Sequence, residues 1–170
     1  MKRQDLSENQ VKIVYLGVGS NIGNRLHLIE KTKYYLVKNN VKLISTSSFY
    51  ESLSWPNPKN PKFLNIVLKC KCTYSPAELF NICQIIEKKL GRKKAPKNSP
   101  RKCDIDIIDF NGIKLNGKIF LPHKMMHKRN FVLFPLFEID KNWVHPITRI
   151  NIKELIFSLS NNNIRSIKKI

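Results

Sequence analysis

The sequence predicts an α+β domain, and three observations carry that expectation. Segments with period-2 alternation and segments with helical spacing follow one another in the order strand, helix, strand, strand, helix, strand. Ser75-Pro76-Ala77-Glu78 is a capping box with proline at the first helical position, which fixes where the second helix starts. Cys103, Ile105 and Ile107 alternate with Asp104 and Asp106, which describes a strand with one apolar face and two carboxylates on the other.

The 170 residues suit one domain with a sizeable core, and 42% hydrophobic with 25% charged residues are globular proportions. Residues 1–10 read as a polar N-terminal extension, 11–160 as the domain and 161–170 as a frayed, basic C-terminal tail. With 31 basic and 12 acidic residues the formal charge is +19, an excess that attracts polyanions, although lysines scattered through every segment also describe a solvated surface. Cys70, Cys72, Cys83 and Cys103 lack zinc-ligand spacing and read as reduced core residues of a cytoplasmic protein. Met1 to Gln10 has no apolar stretch of the secretory kind, and the apolar run Phe131 to Phe137 is too short to cross a bilayer.

Taken in order, Val11 to Val18 forms the first strand, and Leu26, Ile29, Thr32 and Leu36 mark the first helix. Between them Gly17 and Gly19 suggest a tight turn, with Ser20 or Asn21 capping the helix. Ile22 stands where a dinucleotide-binding fingerprint needs its third glycine, which excludes that reading. Val41 to Tyr50 is a β-branched second strand, followed by a stiff loop holding Trp55, Pro56, Pro58 and Pro61. Phe63 to Thr73 alternates again, with Leu64, Ile66, Leu68, Cys70 and Cys72 on one face and Phe63 and Asn65 together on the other. The second helix runs to Leu90 on the stripe Leu79, Ile82, Cys83 and Ile86, stops at Gly91, and carries Gln84 and Glu87 on an adjoining face. After the aspartate strand come a hairpin signalled by Asn111-Gly112 and Asn116-Gly117, a basic turn from Leu121 to Asn130 feeding an apolar segment, and a last helix from Ile152 to Leu159.

Side chains at i and i+2 of a strand point the same way, so Asp104 and Asp106 repel unless a cation lies between them. Magnesium fits, since it is held by one or two carboxylates while phosphates and water complete its shell. Arg101, just ahead of the pair, can take phosphate oxygens bidentately.

With these pieces in place the chain resembles the 6-hydroxymethyl-7,8-dihydropterin pyrophosphokinases of folate biosynthesis. The resemblance rests on Leu16-Gly17-Val18-Gly19-Ser20-Asn21, Ser48-Phe49-Tyr50, Phe63-Leu64-Asn65, Gln84 with Glu87 and Leu90-Gly91-Arg92, Pro100-Arg101 with Asp104-Ile105-Asp106, Pro122-His123, and Arg129 with Phe131-Val132-Leu133 and Pro135-Leu136. It implies a ferredoxin-like βαββαβ fold with a four-stranded antiparallel sheet, and transfer of pyrophosphate from ATP to the pterin hydroxymethyl group with release of AMP. It implies further that Asp104 and Asp106 hold two magnesium ions, and that Arg92 and Arg101 bind phosphates, Arg92 from a mobile loop. Gln84, Glu87, His123, Lys124, Arg129 and the Ile107 backbone would serve ATP. Ser52, Leu53, Trp55, Phe63, Asn65, Asp104 and Phe131 would serve the pterin. Folate synthesis together with the lack of a targeting segment predicts a cytoplasmic protein; no nucleic-acid or membrane partner is expected, and a monomer is the default expectation.

Four positions depart from the family pattern. Phe63 stands where an aromatic hydroxyl is usual, Asn98 where tryptophan is frequent, Ser99 where glycine is common, and Lys124 where tyrosine or arginine often follows Pro-His. Losing an aromatic lid at Asn98 would cost roughly 0.5–1.5 kcal/mol of stacking. The competing class is an RNA- or polyanion-binding module of the same fold, which +19 favours. That class expects an aromatic-rich R-G-F-x-F-V-like strand, which is missing, and it leaves Asp104 and Asp106 without a role.

Overall fold

A computed structural model describes residues 10–96 and 98–170. Apart from Gln10, the expected N-terminal extension lies outside them. The ferredoxin-like plan is present: strand β1 (Lys12–Ser20), helix α1 (Arg25–Lys38), strands β2 (Lys42–Thr46), β3 (Tyr50–Ser52) and β4 (Phe63–Cys72), helix α2 (Pro76–Lys89) and strand β5 (Asp104–Phe110). Helices α3 (Asn130–Ile139), α4 (Ile152–Phe157) and α5 (Asn161–Arg165) and a short strand β6 (Lys168–Lys169) follow.

The sheet has six strands rather than four, in the order β5-β1-β4-β3-β6, with β2 also on β4. All pairings are antiparallel; β1 lies against β4 from Lys12 opposite Cys72 to Ser20 opposite Leu64. The extra count has two sources. The expected second strand is broken at Ser47 to Phe49, so that β2 and β3 share one edge of β4. At the break the Ser47 hydroxyl accepts from the Val67 amide at 2.9 Å, a side chain standing in for a ladder carbonyl. Beside it the Ser48 amide and hydroxyl and the Tyr50 hydroxyl donate to the Glu138 carboxylate at 3.1, 2.7 and 2.9 Å. The other addition is β6, which pairs with β3 through Lys169 opposite Tyr50, so the tail expected to fray is helical and then extended.

The sheet is buried on both faces. Val14, Leu16, Val18, Leu64, Ile66 and Leu68 pack under Ile29 and Leu36 of α1 and Leu79, Cys83 and Ile86 of α2. Tyr15, Val67 and Ile108 face the other way, against Val132, Leu133 and Leu136 of α3 and Ile152 and Leu155 of α4. The apolar segment after the basic turn is therefore a helix, and Pro135 is accommodated within it. The capping box at Ser75 and Glu78 forms as expected, and Gly91, at φ 87°, ends α2 in a backbone region that favours glycine. Helix α1 differs: its cap is Asn24, whose side chain accepts from the His27 amide, leaving Ser20 and Asn21 for other work.

Under the second core, the Asp109 carboxylate is buried and accepts from Trp143 Nε1 at 2.9 Å and from the Gly112 amide at 3.0 Å. Trp143→Phe keeps the apolar bulk but strands a buried acceptor, so chemical denaturation should show a loss of about 1–3 kcal/mol. A loss near zero would mean that water or another donor reaches Asp109.

Candidate active site

Gly19 pairs with Asp104 and Gly17 with Asp106 across the β1–β5 edge. On its other edge Gly19 pairs with Asn65 of β4. These glycines are strand residues, not the expected turn, and their lack of a side chain has a local reason. A Cβ on Gly19 would stand 3.0 Å from Asn65 Oδ1 and 3.3 Å from the Phe63 ring, and one on Gly17 would stand 3.3 Å from the Ile108 side chain. Close approach of Phe63 and Asn65 to the aspartate strand depends on that empty space.

Asp104 and Asp106 line three adjoining cavities. The largest, about 680 Å³, runs along Arg92, Lys93, Lys94, Arg101 and Arg129. A second of about 440 Å³ is lined by Phe80, Gln84, Glu87 and Arg92, and a third of about 40 Å³ by Ser52, Leu53, Trp55, Phe63, Asn65 and Phe131 among others. The carboxylates thus stand where a basic channel, a half-polar pocket and an aromatic slot meet.

Arginines supply the positive charge around the two carboxylates. Asp104 binds Arg92 at 2.8 Å and Arg101 at 2.5 Å, while Asp106 binds Arg129 at 3.1 Å with His123 Nε2 at 3.9 Å. Arg92 also pairs with Glu87, whose Oε1 accepts from the Ile105 amide at 2.8 Å. The same arginines cover the aromatic slot: the Arg101 guanidinium lies 5.2 Å from the Phe63 ring centre and that of Arg129 5.5 Å from Phe131. Arg101 Nε is buried with no hydrogen-bond partner among the described residues, a donor waiting for an acceptor.

Burial, and then the neighbouring Asp104 charge, raise the pKa of Asp106. Burial likewise raises that of Glu87 to about 6, against the pull of the Ile105 amide and Arg92. Burial lowers that of His123, although Asp106 pulls the other way. A cation between the carboxylates would reverse the cost of ionising Asp106. No group of three or more metal-ligating side chains occurs among the described residues, so a cation here would take two carboxylates and complete its shell from elsewhere.

The model of the 7,8-dihydro-6-hydroxymethylpterin-pyrophosphokinase (HPPK) family matches residues 15–141. The chain belongs to this family. It is 41% identical over 146 residues to the 2-amino-4-hydroxy-6-hydroxymethyldihydropteridine pyrophosphokinase of Aquifex aeolicus, covering 83% of this chain and 88% of that one. To the protein of that name in Haemophilus influenzae it is 36% identical, covering 84% of this chain and 89% of the relative. A folic acid synthesis protein of Pneumocystis carinii is 33% identical over 95% of this chain, which spans 22% of that longer protein. Among solved structures, an HPPK-DHPS of Plasmodium falciparum crystallised with pterin and p-hydroxybenzoate superposes with a TM-score of 0.73 at 17% identity, over 97% of this chain and 48% of that one. At that identity the likeness concerns the fold, and the chain spans about half of the solved relative.

Most residues that the HPPK resemblance singles out converge on the three cavities: Gln84, Glu87, Arg92, Arg101, Arg129, Ser52, Leu53, Trp55, Phe63, Asn65 and Phe131 line them with the aspartates. His123 joins through Asp106. Two do not converge. Ile107 packs its side chain into the core, so only its backbone remains for a ligand, and Lys124 lies 5.5 Å from the Phe120 ring, lining none of these cavities. Asn98 does line the aromatic slot, at φ 65°, a left-handed conformation that asparagine tolerates far better than an aromatic residue. Sequence reasoning misassigned Asn21. Buried at the end of β1, it accepts from the Arg101 amide at 2.7 Å and donates to Ser54 Oγ at 3.3 Å and to the Pro61 carbonyl at 3.1 Å. One amide thereby fixes the arginine ahead of the aspartates and both ends of the proline-rich loop. Its position directly after a strand, three residues before a better helix cap, was the available signal.

Two predictions follow from the geometry. Gly19→Ala must push Asn65 and Phe63 aside by a few tenths of an ångström, so pterin affinity should fall severalfold in a fluorescence titration while the fold persists; unchanged affinity would show that the slot tolerates the methyl group. Glu87 is the more protonated in the folded state, so its contribution to stability is full below its ordinary pKa of 4.5 and is lost as pH rises through about 6. Compared with Glu87→Gln, the unmodified protein should therefore lose up to about 2 kcal/mol between those pH values. Urea melts at pH 4.5 and 7 measure it, and parallel curves for the two proteins would refute it.

Proposed function

We propose that this chain transfers the pyrophosphoryl group of ATP to the hydroxymethyl oxygen of 6-hydroxymethyl-7,8-dihydropterin, releasing AMP, and that it does so in the cytoplasm as a monomer with magnesium. The observation that carries this reading is the carboxylate pair at the junction of a basic channel, a half-polar pocket and an aromatic slot. The family supplies the reaction class; the cavities have the chemistry it needs.

The donor set is all oxygen, from Asp104 and Asp106, which suits magnesium; held there, two ions would offset the charge of the phosphates and orient the two substrates. With a cation held by the aspartates, Arg92, Arg101 and Arg129 would be available for phosphate oxygens, and one of these would give the orphaned Arg101 Nε an acceptor. The same movement clears the faces of Phe63 and Phe131, between which a flat bicyclic ring can stack. Asn65 Nδ2 donates to Ser52 Oγ at 3.0 Å, so the two are already oriented as a polar edge for the pterin amide and amino groups. Gln84 and Glu87 offer the adenine side of the nucleotide a polar wall.

The reacting oxygen attacks the β-phosphorus, the bond from that phosphorus to the α-phosphate oxygen breaks, and the hydroxyl proton is shed. Alignment and charge neutralisation are what the protein supplies, and no side chain is required as a nucleophile. Lys124 plays no part in this scheme; its place is against Phe120.

The test is AMP release from magnesium-ATP with and without 6-hydroxymethyl-7,8-dihydropterin. The unmodified protein should form AMP only with the pterin, and Asp106→Ala should lower the rate by at least about a hundredfold with its fold retained. Well-folded protein that forms no AMP with both substrates would overturn the reading.

A further inference from the structure

We propose that the C-terminal segment Asn161–Ile170 is a strap that positions the pterin slot, holding its two walls at a fixed distance. This rests on the reaction proposed above for the meaning of the slot, but not for the geometry of the strap. The segment lies beyond residue 141, where the family match ends.

The strap grips one wall through Asn130. That residue stands between Arg129 and Phe131, both of which line the slot, and its side chain is buried. Its Oδ1 accepts from the Phe131 amide at 2.7 Å, and its Nδ2 donates to the Asn163 carbonyl at 2.5 Å and to Ser166 Oγ at 3.0 Å. Every hydrogen of the amide group is thus used on α5 and the residue after it, while its oxygen fixes the start of α3. Ile164 adds apolar packing against the core under that helix.

The other wall is gripped through β3. Lys168 and Lys169 pair with Glu51 and Tyr50, and the Ile170 amide donates to the Phe49 carbonyl at 2.9 Å. Lys169 Nζ binds Glu138 Oε1 at 2.9 Å, the same carboxylate that holds Ser48 and Tyr50 to α3. Strand β3 ends at Ser52, which is hydrogen-bonded to Asn65, and leads directly into Leu53 and Trp55.

Between these grips lies a cavity of about 430 Å³ behind the slot. Leu53, Trp55 and Pro58 form one side, Lys128 and Phe131 another, and Asn163 and Ser166 of the strap close it. The loop from Leu53 to Pro58 therefore has open space behind it rather than packed side chains, and Trp55 is 60% exposed. A loop backed by a cavity takes its resting position from its ends, and the strap holds the end at β3 and the facing wall together. Ser52 and Ser54 keep their own bonds to Asn65, Asn21 and Pro61, so without the strap it is chiefly the Phe131 wall and the outer edge of β3 that shift, which costs ring stacking while Asp104, Asp106 and the Arg92 loop stay in place.

The experiment compares the unmodified chain with a truncation after Ser160, with Asn130→Asp, which keeps size and acceptor but removes both donors, and with Lys169→Ala. The expected result for Asn130→Asp and the truncation is a KM for 6-hydroxymethyl-7,8-dihydropterin raised roughly five- to twentyfold, with kcat altered less than about twofold and the KM for magnesium-ATP, which the adjoining Arg129 would touch, raised clearly less than that for the pterin. Lys169→Ala should show the same pattern more weakly. A synthetic peptide covering Ser160–Ile170 should restore the pterin KM of the truncated chain. Amide hydrogen exchange on the same proteins without substrate should show faster exchange at residues 50–55 and 130–132. Unchanged pterin KM and unchanged exchange in folded Asn130→Asp would overturn the strap. Where the unmodified protein itself forms no AMP, the reaction is what fails, and the exchange measurement alone decides the strap: faster exchange at both walls upholds it and unchanged exchange overturns it.

Discussion

Two carboxylates on one face of an edge strand cannot both stay ionised and half-buried without positive charge between or beside them. In this protein that constraint organises the ground around β5. Arg92 arrives from the end of α2, Arg101 from the approach to the strand and Arg129 from the start of α3, each reaching Asp104 or Asp106. Since the three arginines come from different parts of the chain, the aspartates act as the point at which those parts are registered to one another. The same arginines are the natural phosphate ligands of the proposed reaction, which would need only an exchange of partners at these side chains.

The central strand makes this possible by what it omits. Strand β1 pairs with β5 on one edge and β4 on the other, and Gly19 lies in both pairings, opposite Asp104 and opposite Asn65. A side chain there would wedge Asn65 and Phe63 away from the aspartates, the two features that would face substrate from neighbouring strands. Directly beyond, Asn21 ties the Arg101 backbone to the proline-rich loop. The aspartates and the Phe63–Asn65 pair are thus spaced by one strand end, three residues long.

Elements with a local cause were legible in the sequence. The capping box places α2, and alternation across Cys103 to Ile107 sets both faces of β5. The core stripes of β4 and α2 followed from their periods for the same reason: each residue's environment is set by its own element. What escaped is decided by distant partners. Helix α3 is apolar nearly all round and holds a proline, so it offers no helical period, and its stability comes from being covered by the sheet and by α4. The break between β2 and β3 depends on Glu138, 90 residues away from Ser48, and the order of the last ten residues depends on β3 and Asn130. Similarly, Asn21 read as a helix cap because its true partners, Arg101, Ser54 and Pro61, are far along the chain. The family motifs picked out residues that the fold brings to the same three cavities because a motif carries tertiary information that local periodicity lacks, whereas Lys124, from the same motifs, lines none of them.

The large positive charge of the chain takes on a different meaning once the site is counted. Arg92, Arg101 and Arg129 face Glu87, Asp104 and Asp106, three cations against three anions at a pH above about 6, so the ion-pair cluster is close to neutral by itself. In the proposed reaction a nucleotide triphosphate would bring about four negative charges into it, and divalent cations would offset them, leaving the cluster close to balanced after loading as before. The +19 of the whole chain must then lie almost entirely outside these six residues. Lys93, Lys94 and Lys102, which line the 680 Å³ channel, belong to that surplus. Surface charge of this kind falls off over roughly 8–10 Å at physiological salt, too short a range to hold a nucleotide in place but long enough to gather phosphates at the channel mouth. In the proposed reaction, gathering phosphates and neutralising them at the aspartates would therefore be separate tasks, and only the second would require the geometry that β1 and β5 provide.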